Sequence, residues 1–408
     1  MIDLHTVRAA ILATVAPLPA VDVARNDALG LVLAEDVVSR AAVPPFDNTA
    51  MDGYALRAAD TAGASDAAPA HLRVIGTLAA GAASSATVGV GEALRIMTGA
   101  PMPAGADAVV MVELTERDGD DAVLVQHAAT HGEHVREAGG DVGVGDLVFT
   151  AGTLLGAAHL GVLASIDVDR VRAHPRPRVG IISTGDELVE SVAVGPGQIR
   201  DSNRPMLVAS LTRAGFTPVD LGIVRDDAAV VTAAIDAALD DCDALLTSGG
   251  VSVGDFDYVS NALEHIATDD PDPRARVDWY QVAIRPAKPL CFSFVRGTPV
   301  FGLPGNPVSS LVSFEVFARP ALRLLAGERD VEPQIVLACA EEPMRRHPDG
   351  KLHLDRVSLR LVDGRYVASS VRAQASNALA ATAAAQGLAL LPDGDGVDAG
   401  DDVMVQLL

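Results

Sequence analysis

The sequence predicts a multidomain α/β and β protein: a central α/β domain with a parallel-rich sheet, a segmented helical domain carrying a β-rich insertion, and a C-terminal β domain. Three observations predict it. From residue 179 onward strand, turn and helix alternate, which is the pattern of a parallel sheet covered by helices on both faces. Residues 46–141 break into short β-like runs separated by Gly, Pro and Ala with almost no helical period. After Gly327 the β texture returns and continues to the end. The chain has 408 residues, which at roughly 150 residues per domain gives two to four domains. Its 49% hydrophobic and 21% charged residues are enough to bury real cores, so disorder is excluded as the main state.

At the N-terminus Leu4, Val7, Ile11, Leu12 and Val15 follow helical spacing. A second apolar run at 28–39 leads into Val43-Pro44-Pro45, and the prolines end the segment. In the insertion, β-like runs fall at 72–75, 93–97, 108–112 and 122–125. Residues 157–166 then resume a helical pattern, so 1–45 and 142–176 read as one helical domain split by residues 46–141. The stretch 172–178 reads as a Pro-rich basic linker with a boundary near Arg176. Beyond it, in the domain 177–326, strands are expected at 179–182, 219–224, 244–247, 277–282 and 298–302, with helices at 206–213, 228–239 and 308–325. Residues 327–408 form the last domain, in which runs at 352–362 and 366–371 flank Asp363-Gly364, a hairpin signal.

Lys and Arg number 31 against 54 Asp and Glu, for a net charge of −23, and such a field repels polyphosphate and acidic membranes. Nucleic acid is therefore excluded as a partner, and an anionic substrate requires a local cluster of basic residues. No apolar run reaches the roughly 20 residues that cross a bilayer, so no membrane span is expected. Cys242, Cys291 and Cys339 are odd in number and follow neither a disulfide nor a zinc spacing. The first 20 residues read as an amphipathic helix rather than a signal peptide, and the expected location is the cytoplasm.

Polar clusters fall at the expected strand ends: Ser183-Thr184-Gly185-Asp186-Glu187, Arg225-Asp226-Asp227, the run from Thr247 through Gly249, Gly250 and Ser252 to Asp255, and Gly302-Leu303-Pro304-Gly305-Asn306-Pro307. In open α/β sheets ligands bind outside the carboxyl ends of the strands. Glycines admit backbone N–H groups close to an anion and helix N-termini add a positive dipole end, so the clusters point to a phosphate-bearing ligand. Glu187, Asp226, Asp255 and Asp257 are hard oxygen donors suited to a magnesium ion bridging to that phosphate. Any one such cluster also reads as turn formers and N-caps; four at successive strand ends outweigh that reading. His5, His71 and His159 have no partner at ligand spacing and are given no chemistry.

Pro44-Pro45-Phe46-Asp47-Asn48-Thr49-Ala50-Met51-Asp52-Gly53-Tyr54-Ala55 and Met97-Thr98-Gly99-Ala100-Pro101 resemble the signatures of the molybdopterin molybdenumtransferases, the MoeA and gephyrin family. Arg136-Glu137-Ala138-Gly139-Gly140-Asp141 resembles a third, and segments at 184–188, 248–258, 283–289 and 303–309 match the rest in order along essentially the whole chain. The resemblance implies a molybdopterin-binding-like fold for the central domain. It implies an elongated homodimer with shared active sites, which inserts molybdate into adenylylated molybdopterin with release of AMP, assisted by Mg2+. By the same resemblance Asp52, Thr98 and Asp141 of one subunit face Glu187, Asp226 and Asp257 of the other as the catalytic set, with the last three as metal ligands. Ser252, Arg285, Lys288, Arg356 and Ser376 match the family's oxyanion positions, and Arg136 joins the substrate contacts. Pathway proteins and acceptor molybdoenzymes are further implied partners.

One departure is visible, for the family usually has lysine where Arg285 stands and glycine where Ala287 stands. Charge is kept while the planar guanidinium changes the geometry offered to an oxyanion. Two alternatives compete with the transferase reading: a molybdopterin adenylyltransferase, which resembles 177–326 alone, and a molybdopterin-binding scaffold. The extra domains argue against the first. The joint presence of Asp52, Asp141, Glu187, Asp226 and Asp257 argues against the second.

Overall fold

The computed structural model describes residues 1–82, 85–190, 193–249 and 258–408. Helix α1 (Leu4–Leu12) starts where the Asp3 carboxylate accepts from the Thr6 N–H at 2.9 Å. Its apolar face, Leu4, Val7 and Ile11, does not pack on the residues that follow; it joins Val179, Leu207, Phe292 and Phe317 in the largest apolar cluster of the molecule. Helical spacing predicts the helix but carries no information on where the helix docks.

The segmented part is α-helical only at α1 and at α2 (Ala157–Ser165), with one 3-10 turn at Arg25–Asp27. The expected helical character of 28–39 gives way to the short strands Val32–Leu33 and Val37–Val38, because Gly30 stands at φ +75° and the chain turns there. These strands pair with Arg170–His174 and Leu147–Phe149, which also shortens the expected linker, since residues 172–174 are ladder. Ala28, Leu31, Leu33 and Val37 share one core with Leu155, Leu163, Ile166 and Val171, so chain on both sides of the insertion folds together.

Between them lies a six-stranded sheet in the spatial order Ala108–Met111, Gly53–Leu56, Glu92–Ile96, Ala70–Leu78, Ala122–Val125 and Thr115–Asp118. Gly53 is required by it. A Cβ there would lie 2.0 Å from the Val110 carbonyl oxygen.

The central sheet consists of β1 (Arg178–Thr184), β2 (Thr217–Val224), β3 (Ala244–Ser248), β4 (Arg276–Gln281), β5 (Pro289–Val295) and β6 (Thr298–Leu303), in the order β2-β1-β3-β6-β5-β4. The first four in that order are parallel, while β5 and β4 form an antiparallel edge. Sequence reading omits β5, whose first residue is Pro289; proline is tolerated at that position and reads as loop. α3 (Asn203–Arg213), α6 (Pro307–Ser313), the π turn Phe314–Ala318 and α7 (Arg319–Leu325) cover one face with α1. α4 (Ala228–Asp241) and α5 (Tyr258–Thr268) cover the other. The winding direction reverses between β1 and β3, and such a switch point opens a crevice at the carboxyl ends of the strands.

In the last part Leu352–Val362, Arg365–Ser370, Ile335–Ala340, Asp402–Leu407 and Gly387–Leu391 close on themselves as a five-stranded barrel. Closure leaves no free edge among these strands. Asp363 at φ +49° and Gly364 at φ +80° form the hairpin that their sequence predicts. The two-residue strand Ile284–Arg285 of the central part adds to Leu352–Val362. Among the described residues no helix is long and apolar enough to cross a membrane.

Candidate active site at the strand ends and the inserted sheet

Three signature stretches far apart in sequence meet at one edge of the insertion. Asn48-Thr49 pairs antiparallel with Val135-Arg136. The Thr49 carbonyl accepts from Gly99 N–H at 2.9 Å, the Asp47 carboxylate from Ala138 N–H at 2.7 Å, and the Val43 carbonyl from Asp141 N–H at 2.9 Å. Asp52, Thr98, Arg136 and Asp141 are exposed on this edge. Asp52 Oδ1 accepts from both the N–H and the hydroxyl of Thr98, each at 2.7 Å. These bonds, the backbone one first, hold the Asp52 carboxyl below its usual range, and the Arg95 guanidinium stacked on Tyr54 adds to them.

The second group lies at the carboxyl ends of β1, β2, β3 and β6. Ser183 and Thr184 are buried at the end of β1, and Gly185 follows with its N–H on the Val224 carbonyl at 3.4 Å. A Cβ on Gly185 would stand 2.6 Å from Oε2 of Glu187, so glycine lets that carboxylate fold back over the strand end. Asp186 and Asp226 exchange bonds, Asp186 N–H to Asp226 Oδ2 at 3.4 Å and Asp226 N–H to Asp186 Oδ1 at 3.3 Å. Burial first, then the like charge of Asp186 and Glu187, raises the Asp226 carboxyl above its usual value. Across the crevice Gly249, at φ +95°, donates to the Leu303 carbonyl at 3.1 Å, and a Cβ there would meet the Thr184 carbonyl oxygen at 2.9 Å. Gly250, Ser252, Asp255 and Asp257 lie outside the described residues.

Sequence reasoning missed Asn203 and Arg204, having begun this helix three residues late, at 206. Asn203 is buried, and its Nδ2 donates to Ser248 Oγ and to the Gly305 carbonyl, both at 2.7 Å, which ties β3 to the Gly305-Asn306-Pro307 loop. The signal was Asp201, which precedes the helix as an N-cap residue would: its Oδ1 accepts from the N–H groups of Asn203 at 3.1 Å and Arg204 at 3.2 Å.

Part of this backbone is already occupied. Asp201 accepts at the start of α3, Asp227 accepts from Ala229 and Val230 at the start of α4, and the Ser376 carbonyl accepts from Val308 N–H at 3.1 Å in α6. These particular N–H groups are bonded within the chain and are not offered to a phosphate.

Arg285 and Lys288 are exposed on a turn closed by a bond from Val282 N–H to the Lys288 carbonyl at 2.8 Å. Ala287, where the resembled family has glycine, is buried at φ +73°. Arg356, expected in the oxyanion set, is fully buried in this chain. Its Nη2 donates to the carbonyls of Ala373 and Ala375 at 3.1 Å each and so braces the loop that carries Ser376, while its Nε and Nη1 have no hydrogen-bond partner. Burial lowers the pKa of this guanidinium, opposed by Asp355.

The donor chemistry suits magnesium in that Glu187, Asp186 and Asp226 are hard carboxylates whose mutual repulsion a divalent cation would relieve. Their side chains are not closed around a common point: among the described residues no three His, Cys, Asp or Glu groups are so arranged.

Fold and site together define a multidomain α/β enzyme with polar residues gathered at strand ends and at a signature-bearing insertion. The sequence matches the MoeA N-terminal region (domain I and II) over residues 2–166, the probable molybdopterin binding domain over 180–324, and the MoeA C-terminal region (domain IV) over 342–408. It is 44% identical over 306 residues to molybdopterin molybdenumtransferase 2 of Mycobacterium tuberculosis, covering 75% of each chain. It is 35% identical over 395 residues to the molybdopterin molybdenumtransferase of Bacillus subtilis, covering 95% of this chain and 89% of that one. The crystal structure of a molybdopterin biosynthesis moeA protein from Pyrococcus horikosii superposes with a TM-score of 0.81 at 31% identity, over 100% of this chain and 99% of that one. The chain belongs to the molybdopterin molybdenumtransferase family, transferases of molybdenum cofactor biosynthesis.

Proposed function

We propose that this chain inserts molybdate into adenylylated molybdopterin and releases AMP and molybdenum cofactor, as a homodimer in the cytoplasm. The observation that carries the reading is the gathering of the family signatures into two polar groups, one around Asp52 and Thr98 and one around Glu187 and Asp226. Within one chain no hydrogen bond or ion pair among the described residues joins Asp52, Thr98 or Asp141 to Glu187 or Asp226, which supports a site completed by a second copy. The thiols of Cys242 and Cys339, neither of them in a disulfide, support a reducing compartment.

Glu187, Asp226 and Asp257 would hold Mg2+, which when bound supplies charge neutralisation to the phosphoryl group that departs as AMP. The chain's own residues do the rest. Arg285 and Lys288 bind molybdate, a tetrahedral dianion, through charge-assisted hydrogen bonds. Thr98 keeps Asp52 ionised and oriented as an acceptor. Asn203 holds the β3 end and the Gly305 loop at a fixed separation.

The test is AMP release from purified adenylylated molybdopterin on addition of molybdate. Mixed dimers of Asp52→Ala and Glu187→Ala chains should regain activity that neither variant has alone. Formation of adenylylated product from molybdopterin, ATP and magnesium would instead favour the adenylyltransferase.

A further inference from the structure

We propose that Arg204 is a positioning residue for Glu187, acting as a clamp on the arm that carries it; this rests on the reading of Glu187 as a metal ligand. The arm leaves β1 at Gly185 and returns to α3 at Asp201. Its two limbs are joined by the parallel pairing of Leu188–Val189 with Ile199–Arg200, by Ile199 N–H on the Glu187 carbonyl at 2.8 Å and by Asp201 N–H on the Val189 carbonyl at 2.9 Å. These bonds hold the limbs to each other and leave the orientation of the arm over the strand ends to side chains.

The Asp186–Asp226 bonds hold the root of the arm, and Arg204 orients the rest of it. Its Nη2 donates to Glu190 Oε1 at 2.5 Å on the outgoing limb, its Nε to Asp201 Oδ2 at 3.2 Å on the returning limb, and its Nη1 to both oxygens of Asp220 at 2.6 Å on β2. One guanidinium thus ties both limbs to the sheet. The Arg204 side chain is 12% exposed and that of Asp201 2%, so that pair is shielded from water, while Glu190 and Asp220, 62% and 49% exposed, meet the guanidinium at the surface. A planar fork reaching three carboxylates in three directions has no equivalent in lysine. Without it Glu190, Asp201 and Asp220 would repel one another and drive the outgoing limb, three residues past Glu187, away from β2.

The expected consequence is a weaker metal site with the oxyanion site untouched. In the full-length protein Arg204→Ala should raise the Mg2+ concentration for half-maximal AMP release roughly tenfold, as removal of a group orienting a metal ligand does. The KM for molybdate should stay unchanged. Mn2+ binding followed by calorimetry without turnover should weaken by the same factor, and Arg204→Lys should fall between wild type and alanine. If Arg204→Ala does not fold, Arg204→Lys carries the same test with a several-fold shift. A shift in Glu187→Gln with none in the Arg204 variants overturns the clamp alone. No shift in either overturns the reading of Glu187 and the clamp with it. A loss in Arg204→Ala that raises the molybdate KM equally, with Mn2+ binding intact, also overturns it.

Discussion

Thr98 grips Asp52 twice, with its backbone N–H and its hydroxyl both directed at the same oxygen, Oδ1, at 2.7 Å. The two residues come from different signature stretches, 46 positions apart, and the pair of hydrogen bonds fixes both the charge and the direction of the carboxylate. Asp52 remains exposed at that edge.

Thr98→Val keeps the backbone bond and removes the hydroxyl, so the Asp52 carboxyl should move back toward its ordinary value. A carboxylate that must be ionised to act then loses activity at a higher pH as the solution is acidified. The acid limb of the AMP-release profile should shift upward, and turnover at neutral pH should fall roughly tenfold because the carboxylate is less well oriented. An unchanged acid limb would mean that Asp52 does not titrate in the reaction.

Arg285→Ala should weaken molybdate capture by roughly ten- to a hundredfold, since a charge-assisted hydrogen bond is worth about 1.5–3 kcal/mol and about 1.4 kcal/mol is tenfold. Arg285→Lys should cost far less and Lys288→Ala about as much, while binding of the adenylylated pterin changes little. Titration of AMP release against molybdate separates these outcomes. An Arg285→Ala curve that overlays wild type retires the assignment.

Ala287→Gly should stabilise the protein. Ala287 is buried at φ +73°, where an L side chain costs about 1–2 kcal/mol that glycine avoids, against about 0.5–1 kcal/mol for the greater freedom of glycine in the unfolded chain. The net expectation is a gain between about zero and about 1.5 kcal/mol, visible as a raised melting temperature. A lowered one would show that the Cβ contributes packing that exceeds the strain.

Acid should loosen the barrel. The Lys351 hydrogen bond first, with His353 adding to it and burial opposing, holds the Asp349 carboxyl at about 2, well below the usual carboxylate range. The folded value is the lower one, so this stabilisation is present above about pH 4 and is lost as pH falls toward 2. Asp349→Asn should flatten the acid limb of the unfolding profile in that window. An acid limb as steep as that of wild type would assign the loss to other carboxylates.

The sequence alone carried whatever depends on neighbours along the chain. Asp363-Gly364 demands a turn with two positive φ angles, and the hairpin is there. The alternation beyond residue 179 marks strands whose polar ends become β1, β2, β3 and β6, and the signatures identify the family because their residues are read in order, without reference to space. Tertiary structure decided everything that depends on partners distant in sequence. Apolar spacing made α1 a helix, yet only the competition between two cores placed it against β1 and α7 rather than against α2. Arg356 and Arg285 are the same kind of cation in sequence. The barrel buries one, where two carbonyls hold it, and leaves the other on an exposed turn. Residue type sets what a side chain can donate or bury, but burial and partner are properties of the packed chain, which is why Asn203 and Arg204, polar residues of an unremarked helix start, emerge as ties between strand ends only once the sheet is assembled.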